Sequence, residues 1–167
     1  MQPDPWTHCH YCGAPLVEFH DHQRPRQRCS RCGQILYRNP VPAAGCVVVQ
    51  HGAVLLVQRR RPPFPGHWHF PSGFVEYDED IEAAAVRETY EETGLVVEPR
   101  SIFGAYSYFD DPRKNGIIIL FHAEVVGGTL RPGDDAAAAD FFPPDRLPQP
   151  LCFAAHIRAL REWIERG

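Results

Sequence analysis

The chain has 167 residues, 44% of them apolar and 23% charged, with a formal net charge of −4 and a pI near 6.1. That length suffices for one core-forming domain and a small appendage of ordinary soluble composition. The acidic balance does not favour a nucleic-acid partner, no apolar run reaches membrane-spanning length, and the opening MQPDPWTHCH has no signal-peptide pattern, so a cytoplasmic location is expected.

From the N-terminus, Cys9-x-x-Cys12 and Cys29-x-x-Cys32 stand sixteen residues apart, and each pair is followed by a glycine, Gly13 or Gly33. Such a glycine lets the chain turn so that amides point at the sulfurs, and two such pairs predict a tetrahedral Cys₄ site for structural Zn²⁺. Two disulfides are the rival, disfavoured in a cytoplasmic protein, and no strand–helix pattern supports a redox-active pair. His8, His10, His20 and His22 are spare ligand types beside a shell that four cysteines already complete. Residues 1–38 hold too little apolar content for an unaided core, so this piece is expected to fold around the metal as a zinc ribbon. Cys46 and Cys152 have apolar neighbours and are expected to pack as small hydrophobes.

Asn39-Pro40-Val41-Pro42 reads as a stiff linker opening a second domain, residues 39–167. Ala43–Val49 and Ala53–Arg59 flank Gln50-His51-Gly52 as a hairpin, and Arg59–Gly66, with its prolines, reads as a surface loop. A helix is expected from about Asp80 to Thr93, stopped by Gly94. Its Ile81, Ala84 and Ala85 extend the face that carries the glutamates, with Ala83, Val86 and Tyr90 as a second apolar stripe. Strands follow at Ser101–Phe109, Gly116–Val126 and Ala139–Phe142. A final amphipathic helix from near Phe153 carries Ile157, Leu160 and Ile164 as core residues. Mixed strands with two helices give an α/β sandwich.

Within Gly73–Leu95, GFVEYDEDIEAAAVRETYEETGL, Glu88, Glu91 and Glu92 sit at i, i+3 and i+4 and share one arc of the helix. Like charges at that spacing repel, and hard oxygen ligands at this density suit Mg²⁺ or Mn²⁺. The plainer reading, a solvated acidic face, fits poorly with a glycine-rich entry and a glycine stop.

These residues carry a family resemblance. Gly73, Glu79, Arg87, Glu88, Glu91, Glu92, Gly94 and Leu95 match the signature of the Nudix hydrolases, with Thr89 where an aliphatic residue is usual. Gly66-x-Trp68-x-Phe70-Pro71-Ser72-Gly73 and Gly128-x-Leu130 extend the match, and the Cys₄ pairs with PSGFVE resemble a zinc-ribbon subgroup that includes ADP-ribose and FAD diphosphatases. The resemblance implies the Nudix fold, a mixed β-sheet in an α/β/α sandwich preceded by a small zinc ribbon. It implies Mg²⁺ (or Mn²⁺) on Glu88, Glu91, Glu92 and the Gly73 carbonyl, with Arg87 and Glu79 orienting the carboxylates. The general base is Glu91 or Glu88, or an acid on a later loop, Asp134 or Asp135.

Arg59, ahead of Arg60 and Arg61, is the candidate phosphate ligand. Among the aromatic residues 103–109, Tyr106 and Tyr108 are candidates for stacking on a substrate ring. His67 and His69 could touch substrate, although nothing in their spacing demands it. Trp68 reads as a packing anchor, and Asp110, Asp111 and Lys114 read as turn residues. The function implied is hydrolysis of ADP-ribose or FAD to release AMP, with a homodimer as a possible assembly. NADH is the nearest alternative substrate. NADH diphosphatases of this family carry a Cys₄ ribbon too, but their Ser-Gln-Pro-Trp run is absent at Ala105–Phe109. A non-catalytic nucleotide sensor that docks through the ribbon is the alternative from another class.

Overall fold

Among the described residues up to position 39 only Cys9 and Cys29 are buried, so this stretch has no apolar core. The computed structural model describes residues 6–133 and 135–166, and the chain divides into two compact units, Met1–Asn39 and Pro40–Gly167. The first is a three-stranded antiparallel sheet, β1 (Leu16–Asp21), β2 (Arg24–Cys29) and β3 (Ile35–Leu36), in that order. Two tight turns accompany it. The Gly13 and Gly33 amides donate to the carbonyls of Cys9 and Cys29. Both glycines hold left-handed φ values of 70° and 73°, which a side chain would strain.

In the second unit β4 (Val41–Gln50) and β5 (Ala53–Arg59) form the expected hairpin. His51 and Gly52 occupy a two-residue turn with positive φ at both, the twist that a tight hairpin needs. There follow β6 (Trp68–His69), β7 (Ser72–Phe74), α1 (Ile81–Thr93), β8 (Leu95–Tyr108), β9 (Gly116–Gly128), β10 (Ala136–Phe142) and α2 (Ala154–Arg166). The sheet order is β10-β5-β4-β9-β8, with β6 on β5 and β7 on β4. Only β4 and β9 run parallel, so the sheet is mixed.

Helices cover both faces. Ala84 and Ala85 of α1 join Ala44, Cys46, Val48, Leu55 and Phe121 in one core cluster. Ala155, Ala159 and Leu160 of α2 join Val47, Val54, Leu56, Phe103 and Leu120 in the other. Val54, Leu55 and Leu56 alternate between clusters as strand geometry requires, and a strand covered on both sides is buried along its length, as Ala43–Val48 is. This is the α/β/α sandwich expected of the second domain.

Four expectations change. Of Ile157, Leu160 and Ile164, expected in the core, only Leu160 is buried; Ile164 is 43% exposed, and α2 turns Ala155, His156, Ala159 and Leu160 inward instead. The strand after Gly94 begins at Leu95 rather than Ser101, because the β-branched run Val96-Val97 can pair at once with β9. The strand expected at Ala139 starts at Ala136. The second apolar stripe of α1 is not one: Ala83 and Tyr90 are exposed, and the buried line is Ala84, Ala85, Thr89, Glu92 and Thr93. Thr89 is fully buried because its hydroxyl donates back to the Ala85 carbonyl, 2.7 Å, leaving its methyl to pack.

Candidate active site

Strand β7 pairs with β4 through Gly45↔Ser72 and Ala44↔Gly73, which brings the entry loop of α1 against the helix. The Ser72 amide donates to Glu92 Oε2 at 3.0 Å. Gly73 lies so near Glu88 that a Cβ there would stand 2.1 Å from its carboxyl carbon, so a side chain at this position would displace that carboxylate. Arg87 is saturated. Its Nε and NH2 donate to the two oxygens of Glu79, both at 2.8 Å, its NH1 donates to Glu88 (2.7 Å) and Glu91 (3.1 Å), and NH2 also donates to the Phe74 carbonyl. It therefore orients carboxylates and has no free fork for a ligand.

Burial pushes the carboxyl of Glu92 up to about 8, with the Ser72 amide opposing. Burial also raises Glu88 despite Arg87 beside it, whereas Arg87 holds Glu79 low. Two carboxylates kept from water without enough cationic charge to balance them are a donor set that fits a divalent cation. No carboxylate set among the described residues is drawn as close as the cysteines, whose four sulfurs lie within 4.8 Å of one another. The sulfurs of Cys9 and Cys32 are 3.8 Å apart, those of Cys12 and Cys29 3.4 Å. A tetrahedron with metal–sulfur bonds of about 2.3 Å has edges of about 3.8 Å, so this set fits zinc.

Glu88, Glu91 and Glu92 open on a cavity of about 520 Å³ whose lining also includes Gly73, Arg59, Arg61 and Asp135. Asp135 pairs with Arg61 at 3.1 Å. Asp134 lies outside the described residues. Arg59 is clamped: its Nε donates to the Pro63 carbonyl at 2.7 Å and its guanidinium lies 5.3 Å from the Phe153 ring centre. His69 is buried and neutral, its pKa held well below 6.5 by burial, with His156 and Arg59 adding to the effect. Its Nδ1 is 2.6 Å from the Phe70 carbonyl and must carry the proton, which leaves Nε2 to accept from Arg59 NH1 at 3.4 Å.

Of the two candidate stacking residues, Tyr108 lines the cavity and Tyr106 does not. Tyr106 is buried in the core beside α2, where its hydroxyl donates to Glu162 at 2.8 Å. Trp68 packs edge-on against Phe142, as an anchor should.

His69, raised in the sequence as a possible substrate contact, lines the cavity, whereas His156, Phe153, Asp111 and Arg113 line it without having been singled out for a site role. Asp111, read as an ordinary turn residue, is buried and holds Arg113 in a two-pronged ion pair, with nitrogen–oxygen distances of 2.9 and 2.7 Å. The Asp-x-Arg spacing was the available signal. Phe64 and Phe153 meet edge to face at 5.4 Å, both with left-handed φ, so backbone strain gathers at the cavity rim. No local pattern announces that.

A cavity lined by Glu88, Glu91 and Glu92 and by Arg59, Arg61 and Arg113, on an α/β/α frame, has the donors to hold a divalent cation and the cations to hold phosphate groups. The family profile described as "NUDIX domain" matches residues 39–164. The chain belongs to the Nudix hydrolase family. It is 44% identical over 130 residues to the "ADP-ribose pyrophosphatase" of Methanocaldococcus jannaschii, covering 77% of this chain and 76% of that protein. It is 33% identical over 160 residues to the "NAD-capped RNA hydrolase NudC" of Chromobacterium violaceum, covering 95% of this chain and 58% of NudC, so it spans little more than half of that relative. A solved Nudix hydrolase of Nitrosomonas europaea superposes with a TM-score of 0.84 at 29% identity, over 96% of this chain and 92% of that one.

Proposed function

We propose that this protein is a Mg²⁺-dependent diphosphatase that splits a nucleoside diphosphate from the group it carries, with ADP-ribose first and FAD next as substrates, and releases AMP. The observation that carries this reading is the pair Glu88, half-buried against Gly73, and Glu92, buried and held by the Ser72 amide, both lining a cavity whose wall also carries Arg59, Arg61 and Arg113. Such a cavity suits a small dianion with a ring at one end. The name of the archaeal relative, an ADP-ribose pyrophosphatase, supports the substrate class.

In this reading Glu88, Glu91, Glu92 and the Gly73 carbonyl hold Mg²⁺ or Mn²⁺, which when bound supplies charge neutralisation and a lowered pKa for an attacking water. Arg87 and Glu79 keep the carboxylates aimed. Arg59, fixed by Pro63, His69 and Phe153, takes a phosphate, and Tyr108 or Phe153 meets the ring. Glu91, the most exposed of the three glutamates at 41%, can reach a water and serves as general base, with Asp135 as the alternative. Cys9, Cys12, Cys29 and Cys32 hold a structural Zn²⁺. The second reading, NADH or an NAD-type cap as substrate, is supported by the NudC relatives.

The test is AMP release from ADP-ribose, FAD, NADH and diadenosine compounds with and without Mg²⁺. ADP-ribose is expected to give the highest kcat/KM, and Glu91→Gln or Glu92→Gln to lower it by about 10²-fold or more with the fold retained. Failure to cleave any of them would leave a nucleotide sensor as the better reading.

A further inference from the structure

The formal charge of −4 is unevenly shared: residues 1–39 hold five arginines against three carboxylates, net +2, while residues 40–167 hold twelve Lys and Arg against eighteen Asp and Glu, net −6. The positive charge of the N-terminal unit is also ordered. In β2 the arginines fall at alternate positions, Arg24, Arg26 and Arg28, so all three project from one face, about 6.7 Å apart along the strand. The register sets Asp21, Phe19 and Val17 of β1 directly opposite them on that face, and Ile35 of β3 opposite Arg28. Arg28 lies 5.3 Å from the Phe19 ring centre and Arg26 lies 5.1 Å from that of Tyr37.

This face is partly open: Arg24 and Arg28 are exposed, Val17 is 42% exposed and Tyr37 54%, while Phe19, Arg26 and Ile35 are half-buried. Among the described residues no carboxylate pairs with Arg24, Arg26 or Arg28, and Asp21, at the turn end, neighbours His22 instead. A solvated charge run would mix signs to relieve repulsion along the strand. Here three like charges are kept in register and interleaved with two aromatic rings. The four cysteines are absorbed by the metal set, and none of the three β2 arginines is needed to hold it.

We infer that this sheet face is a binding platform for single-stranded polynucleotide, the arginines tracking phosphates while Tyr37 and Phe19, each already beside a guanidinium, offer stacking faces to bases. An anionic chain carrying flat rings is the chemistry that satisfies both halves of the face at once, and neither half selects a sequence. The inference does not rest on the diphosphate reading, since it concerns a different unit and a ligand that need contain no anhydride bond.

The experiment is fluorescence anisotropy of the full zinc-loaded chain, in Mg²⁺-free buffer, with labelled oligoribonucleotide and oligodeoxyribonucleotide of about ten nucleotides and the matching duplex. Both single strands are expected to bind, the duplex more weakly, and an excess of ADP-ribose is expected not to displace them. Replacing Arg24, Arg26 and Arg28 together by Ser should flatten the slope of log affinity against log salt by about 2, and Lys at the same positions should preserve that slope. Tyr37→Ala should weaken binding by about tenfold with the slope unchanged. If the triple Ser variant loses its zinc, Arg24→Glu, at an exposed strand end, still reports and should weaken binding several-fold. Equal binding of duplex, displacement by ADP-ribose, an undiminished triple variant, or binding to acidic phospholipid vesicles in place of either oligonucleotide would overturn the inference.

Discussion

Glu92 is 8% exposed, and its hydrogen-bond donor among the described residues is the Ser72 amide, so its charge is poorly compensated when no cation is bound. Its carboxyl is raised from 4.5 to about 8 by burial, so the folded chain binds that proton more tightly than the unfolded chain does. The resulting stability is complete below the unfolded value and disappears as pH rises through about 8. His69 and His156, both depressed by burial, act with the opposite sign below their ordinary 6.5, and the lowered thiols of Cys12 and Cys29 do so up to about 9 unless zinc holds them, so Glu92 is read in zinc-loaded protein from about pH 7 to about pH 9. Across it, the melting temperature of Mg²⁺-free protein is expected to fall, at about 2–4 °C per kcal/mol, and Glu92→Gln to remove most of the fall. Added Mg²⁺ should raise the melting temperature of the wild type more at the upper end, where the carboxylate is already ionised. Calorimetry of both proteins at the two pH values checks this; a wild-type curve that is flat there would detach Glu92 from the uncompensated charge. The three glutamates were legible in the sequence because helical spacing alone puts them on one arc. His69 and His156 were not, since each is made buried and neutral by elements far apart in the chain.

At the scale of elements, the site depends on a three-residue strand. Strand β7 hangs on β4 by three paired residues and carries Ser72 and Gly73 to the glutamates. A methyl at Gly73 would have to displace the carboxylate of Glu88, which is the end of a flexible side chain rather than backbone. Gly73→Ala should therefore fold with little loss of melting temperature yet lose about 10²-fold in kcat, the scale of an ångström of misplacement at a reacting centre. A collapse of stability instead would mean that the loop cannot shift independently of the sheet. Two- and three-residue strands such as β6 and β7 carry no periodicity, and so the sequence showed a loop where the structure has pairing. Alternation misled for a different reason in β8. Its pairing with β9 slips at Val96/Val97, Pro99/Ser101 and Ile102/Gly104, so Phe103, Tyr106 and Tyr108 all end in the same core cluster despite their mixed parity. The helix α1 was read correctly in extent, from its glycine stop, and in the arc that joins Ala84 and Ala85 to the glutamates, but not in its second stripe. A helix whose buried line includes a glutamate and two threonines has no apolar stripe to find.

For the whole molecule, the two units differ in what holds them. Residues 40–166 have two apolar clusters on a covered sheet, whereas among the described residues of the N-terminal unit only Cys9 and Cys29 are buried. A unit with no core has only metal binding to offset the conformational entropy of ordering its strands. Cys12→Ser with Cys29→Ser should abolish zinc, measured by elemental analysis, and unfold the N-terminal unit alone. Proteases are then expected to trim the variant to near Pro40, leaving a resistant fragment that still melts cooperatively. AMP release from ADP-ribose should persist within about tenfold, because every residue lining the cavity belongs to the second unit. Binding of a single-stranded oligonucleotide should be lost in the same variant, since the arginine face exists only on a folded ribbon. The two readouts separate the units: loss of both activities together would mean that the second unit needs the first to fold, and survival of zinc in the double variant would remove the sulfur tetrahedron as its site.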